Sequence, residues 1–187
     1  MKKYLAMLLA VLMLASLSSV AFAESQTETT EIAEYHWEDI ESTVEESGVS
    51  GQFYTLNDYS VSFWAPDFLE FRDRTDEQIE EGYTAIASSA DDHYQLVIRD
   101  YSYDQPVDSI EEWQEMLAEQ LGIEESVICL VNGFKVLEYL DAENDVFFVD
   151  LHITDGSILE FAFTPFSDKD YSVCTGFMTM SIMPAEE

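Results

Sequence analysis

The sequence predicts an α+β domain, in which an antiparallel β-sheet is covered by helices on both faces as an α/β/α sandwich. Three observations lead there. Short segments rich in aromatic and β-branched residues, bounded by turn signals, recur from Gln52 onward. The late segments are apolar on both faces, whereas an antiparallel sheet with one side in water alternates apolar and polar. Amphipathic helical segments stand before, between and after the strands and supply the cover such a sheet needs.

The elements follow in chain order. Lys2 and Lys3 precede an almost unbroken apolar run from Tyr4 to Leu17, and Ala21-Phe22-Ala23 is a small-x-small cleavage site before Glu24. That is the pattern of a secretory signal peptide over residues 1–23, cleaved on export. The run is short of the roughly 20 residues a membrane span requires, so no span is expected after cleavage and the product is expected to be secreted or otherwise extracytoplasmic. Residues 24–35, rich in Ser, Thr and Glu, read as a flexible acidic leader. Residues 36–187 read as one domain, since domains run roughly 100–200 residues.

Trp37, Ile40 and Val44 recur at helical spacing, and Gly48 follows as a stop, predicting a short first helix. Strands are predicted over Gln52 to Leu56, Tyr59 to Ala65, Gly82 to Ala90, His93 to Tyr101, Ser126 to Val131, Phe134 to Leu140, Val146 to Thr154 and Ser157 to Thr164. Asn132-Gly133 and Asp155-Gly156 read as two-residue hairpin turns. A two-residue turn at Asp155-Gly156 puts Phe148, Asp150, His152, Leu159, Phe161 and Phe163 on one face. Phe147, Val149, Leu151, Ile153, Ile158 and Ala162 then take the other. A second helix is predicted over Ser109 to Leu121, capped by Ser109 and Glu112 and stopped by Gly122. A third, over Ser167 to Met183, starts at Ser167-x-x-Asp170 and carries Tyr171, Cys174, Phe177, Met178 and Ile182 inward. The acidic stretch Asp73 to Glu81 reads as a solvated connector.

These elements bring out a family resemblance. A strand closing in Phe63-Trp64-Ala65-Pro66, a helix after Asp108-Ser109, the Val131-Asn132-Gly133 turn, and a late helix after Pro165-Phe166-Ser167 ending in Ser181-Ile182 resemble the Mog1/PsbP-like superfamily, in particular its small exported bacterial members. The resemblance spans roughly Phe53 to Met183. It implies a central antiparallel sheet between helical layers and a binding or assembly role in place of catalysis. One member family binds a small GTPase and another serves a photosynthetic complex, but no partner-site residue of either is matched here, and fold does not carry function.

Charge excludes one class of partner. The chain has 39 acidic residues against 7 basic ones and a formal net charge of −32. Beyond residue 23 the basic residues are Arg72, Arg74, Arg99, Lys135 and Lys169 alone. Phosphate neutralisation by clustered Lys and Arg is therefore out of reach, which excludes nucleic-acid binding.

Site chemistry is sparse. There is no Gly-x-Ser-x-Gly, His-x-x-x-His or Cys-x-x-Cys, and no cofactor motif. Asp150 and His152 are two apart on a strand and share a face, an arrangement in which a carboxylate orients an imidazole for proton transfer. The plainer reading is a hydrogen-bonded polar pair at the rim of an apolar layer, and it is preferred because no third partner is visible. Asp141, Glu143, Asn144 and Asp145 cluster oxygen donors of the kind Ca²⁺ takes. The EF-hand pattern fails, with Val146 where glycine is required and His152 where the closing glutamate belongs. Tyr101, Tyr103 and Asp104 form an aromatic, polar loop that ranks first as a contact surface. Cys129 and Cys174 sit at inward positions, either as free buried thiols or as a disulfide permitted by an oxidising compartment. The reading that results is an exported, soluble, acidic, non-catalytic binding module for a protein or cell-surface component. Its competitors are an acid/base hydrolase or transferase using Asp150 and His152, and a calcium-dependent adhesion or matrix module.

Overall fold

A computed structural model of the chain describes residues 32–101, 107–123, 125–153 and 156–185. Residues 1–23, expected to be a signal peptide, and most of residues 24–35, expected to be a leader, lie outside these. The first part of the chain forms β1 (Glu34–Tyr35), α1 (Trp37–Ser47), β2 (Gly51–Leu56), β3 (Val61–Pro66), β4 (Glu70–Phe71), α2 (Asp76–Glu80), β5 (Tyr83–Ser88) and β6 (Gln95–Tyr101). The second part forms α3 (Ile110–Leu121), β7 (Ser126–Val131), β8 (Phe134–Asp141), β9 (Val146–His152), β10 (Ile158–Thr164), α4 (Lys169–Met180) and β11 (Met183–Pro184). Among the described residues no helix is long and apolar enough to cross a membrane.

Eight strands make one sheet in the order β1-β7-β8-β9-β10-β6-β5-β4, and a second sheet has the order β11-β3-β2. Neighbours pair antiparallel except β1, which lies parallel to β7, so the large sheet is mixed. One face of the large sheet gives Leu137, Tyr139 and Ile158 to a small cluster with Val107, Ile110, Trp113 and Leu117 of α3 and its lead-in. The other face gives Val136, Val149, Leu151, Phe161 and Phe163 to the main core, where they meet Phe63 and Trp64 of β3, Ile40 and Val44 of α1, and Tyr171, Phe177 and Met178 of α4. The sandwich is thus α+β, but part of its cover is a second sheet, which the sequence reading did not anticipate.

Several local expectations are corrected. Glu34 and Tyr35, expected within the flexible leader, instead pair with Leu130 and Val131. The acidic connector contains α2, started by a full capping box in which Thr75 Oγ1 accepts from the Gln78 N–H and Gln78 Oε1 accepts from the Thr75 N–H. The last helix starts at Asp168, whose carboxylate accepts from the N–H groups of Asp170 and Tyr171, while Ser167 instead bonds Asp145. At Asn132-Gly133 the two-residue turn is as expected, with φ of 47° and 86°. Asn132 also accepts from the Trp37 N–H at 2.7 Å and donates to the carbonyls of Met180 and Ile182, tying the turn to the start of α1 and the end of α4.

The decisive correction is the β9–β10 register. Ile153 and Ser157 close the hairpin, with Gly156 N–H donating to the Ile153 carbonyl and Gly156 at φ 88°. The loop therefore has three residues, the length at which a left-handed glycine follows a turn, in place of the two assumed. A one-residue slip inverts every face assignment on β10. Glu160 therefore stands opposite Asp150, Ile158 opposite His152 and Ala162 opposite Phe148, whereas Leu159, Phe161 and Phe163 face the main core.

Candidate functional site

A groove of about 530 Å³ opens where β5 begins and β6 ends, lined by residues from four places in the chain, among them Tyr59, Arg74, Tyr83, Arg99, Asp100 and Tyr101. Its shape depends on Gly82. The Gly82 carbonyl accepts from the Asp100 N–H at 2.8 Å, and φ there is 86°. A Cβ at Gly82 would lie 2.3 Å from the Asp100 carbonyl oxygen. A register shift between Tyr83 and Ala85 follows at once and turns the edge of the ladder, as bulges beside sites do.

Strand alternation puts Arg99 and Tyr101 on one face of β6. The Arg99 guanidinium lies over the Tyr101 ring at 4.4 Å and the Tyr83 ring at 5.3 Å. Its Nε donates to the Glu81 carbonyl and its Nη1 to the Tyr101 hydroxyl. Arg74 Nη1 donates to the Tyr83 carbonyl at 2.6 Å, and the Tyr59 hydroxyl donates to Asp100 Oδ2 at 2.8 Å. Among the described residues the ion pairs are His36–Glu34, Arg72–Asp92, His93–Asp168 and Lys135–Glu111, so neither Arg74 nor Arg99 is in one. Two of the five basic residues beyond residue 23 thus face one groove, held by backbone carbonyls and rings, with planar donor forks of the kind that recognise oxygen-rich groups.

Behind Tyr101 lies a buried acid pair. Asp150 is fully buried and Glu160 is 8% exposed, and the two are direct partners across β9 and β10. Glu160 accepts from the Tyr101 hydroxyl at 3.1 Å and from the Tyr139 hydroxyl at 3.2 Å. Asp150 Oδ2 accepts from the indole N–H of Trp113 on α3, and Asp150 Oδ1 has no partner among the described residues. Burial, and then the charge of Glu160, push the Asp150 pKa well above the carboxylate range. Burial also raises Glu160, against the bonds from Tyr101 and Tyr139 and the charge of Arg99, which pull it back. Burial first, and the carboxylates next, raise both tyrosines, which stay neutral donors. On the opposite face Glu138 is also buried, and desolvation raises its pKa to about 7 against a bond from Cys129.

Each residue singled out in the sequence now has a place. Tyr101 lines the groove; Tyr103 and Asp104 lie outside the described residues. Asp150 and His152 do share a face, but they are not joined to each other: Asp150 lies under Trp113, and His152 Nε2 bonds the Val107 carbonyl at 2.6 Å. The true partner of Asp150 is Glu160, which the mistaken register hid. The signal for it was present, since Glu160 is the one charged residue in the apolar run Ile158 to Phe163.

The acidic loop is organised by its own turn. Asp141 accepts from the N–H groups of Glu143 and Asn144 and from the Asn144 amide, whereas Asp145 accepts from the Ser167 N–H and hydroxyl. The two carboxylates are therefore engaged in different directions. Among the described residues no group of three or more His, Cys, Asp or Glu side chains is placed to hold a metal ion. Of the two arrangements open for Cys129 and Cys174, the structure has the free, buried thiols. Cys129 is directed at Glu138, and burial raises its pKa and carries that of Cys174 up to about 12.

No family model matches the chain, and no curated protein matches it either. Among solved structures it is similar to the solution structure of cyanobacterial PsbP (CyanoP) from Synechocystis sp. PCC 6803, at 12% identity and a TM-score of 0.48, over 72% of this chain and 92% of that one. The likeness brings no activity or partner with it.

Proposed function

We propose that this chain is an exported, extracytoplasmic binding module that contacts a protein or cell-surface component through the groove around Tyr59, Arg74, Tyr83, Arg99 and Tyr101. One observation carries the reading: a chain with 39 acidic residues places two of its few arginines and three tyrosines around a single depression. Rings offer broad contact area at low entropic cost, and guanidinium forks offer oriented donors to carbonyl, hydroxyl or carboxylate oxygens. The rim acids Asp58, Glu80 and Asp100 offer acceptors beside them. The remaining acidic surface keeps the module dispersed and selects against anionic surfaces.

The reading is tested by retention of the purified protein on isolated cell envelopes of its source organism. Arg74→Ala with Tyr83→Ala should abolish retention, whereas His152→Gln should leave it unchanged. Equal retention by the groove variant and the unaltered protein would remove the groove from the reading. Loss on His152→Gln, with the fold intact, would favour the acid/base alternative.

A further inference from the structure

We propose that α3 is a proton-controlled cover: it lies seated on the sheet while the Asp150–Glu160 pair beneath it retains one proton, and it lifts when that proton is lost. The proposal goes beyond the groove reading and stands without it.

The geometry sets the charge balance. Two carboxylates meet across a ladder, and the cation facing them is Arg99, which lies opposite Glu160 on β6. The other groups facing the pair are neutral donors: Trp113 from α3, Tyr139 from β8 and Tyr101 from β6. His152 on β9 is turned to the Val107 carbonyl. The charged groups of α3 itself face elsewhere, Glu111 to Lys135, Glu112 to the Asp108 N–H, and Glu115 and Glu119 exposed to solvent. One cation and two carboxylates are neutral only with one proton retained, and Asp150 Oδ1, sealed and without a partner among the described residues, marks where the balance fails when the proton leaves. An uncompensated buried charge is relieved by admitting water.

The route for that water is α3. Strands β9 and β10 are held by ladders on both sides, whereas α3 rests on the smaller apolar cluster, on the indole bond to Asp150, on the Gln114 amide bonds to Ser126 and on the exposed Glu111–Lys135 pair. Lifting α3 separates nothing in the main core. The raised pKa values of both carboxyls fix the sign: the seated form binds the extra proton, so it is favoured in acid and lost as pH rises through the pair's own titration.

Amide hydrogen exchange resolved by segment, corrected for intrinsic exchange and run at high salt from about pH 5 to pH 9, reads the opening directly. The opening constant of residues 110–121 should rise with pH, approaching about tenfold per unit within the window, the limit for one linked proton. Residues 169–180 should not follow. Asp150→Asn and Glu160→Gln, each nearly isosteric, should flatten the α3 profile, and Glu138→Gln on the opposite face should leave it as it is. An α3 profile independent of pH in the unaltered protein overturns the proposal whether or not the variants fold. So does joint loss of protection in both helices, or flattening by Glu138→Gln.

Discussion

Glu138→Gln tests whether a buried carboxyl on the core face makes this protein least stable where most proteins are most stable. Glu138 is buried and its pKa is about 7, against an ordinary value of 4.5. A raised folded-state pKa contributes stability that is whole below the unfolded value and is lost as pH climbs through the folded one. The loss therefore falls between about pH 4.5 and pH 7, and at about 1.36 kcal/mol per unit it amounts to about 3 kcal/mol. Glutamine removes the ionisation but keeps an oxygen to accept from Cys129. At pH 8 the variant should be more stable than the unaltered protein by up to about 3 kcal/mol, or about 6–12 °C in Tm for a domain of this size. At pH 4 the advantage should vanish. Urea unfolding across this range, in salt high enough to screen surface repulsion, gives the two curves. Parallel curves, with the same slope between pH 5 and pH 7, would refute the reasoning, because they would mean that Glu138 titrates normally in the folded protein.

Three other outcomes follow from single contacts. Asn132→Ala removes one accepted and two donated bonds that join the hairpin turn to α1 and to the end of α4, and should cost about 3 kcal/mol in urea unfolding. Gly82→Ala sets a Cβ against the Asp100 carbonyl at a positive φ and should cost at least about 2 kcal/mol, with a changed near-ultraviolet signal from the groove tyrosines. Cys129 and Cys174, buried and with raised pKa, should both be unreactive to a thiol reagent in the native state and should both titrate in denaturant. Reaction of either native thiol at the rate of a free cysteine would contradict its burial.

Local signals were legible wherever one short segment decides its own conformation. The Asn132-Gly133 turn and the Ser109 start and Gly122 stop of α3 rest on nearest-neighbour sterics and capping. The acid pair was not legible, because strand parity is an all-or-none property. One residue more in the loop before Ser157 moves Glu160 from the unseen face to a place opposite Asp150. The extra residue belongs to a loop whose Asp-Gly composition suits two lengths. The groove was legible only at Tyr101, since Tyr59, Arg74 and Tyr83 reach it from separate elements.

By itself, then, the sequence determined the α+β class, the order of most strands and helices, the acidic surplus and the arginine scarcity, all of which follow from composition and short-range pattern. Only the tertiary structure decided that β2, β3 and β11 form a sheet of their own, that Asp150 meets Glu160, and that the scarce arginines converge. Those are pairings between residues far apart in the chain. Their free energy lies in burial and in ladder register, which no local segment contains.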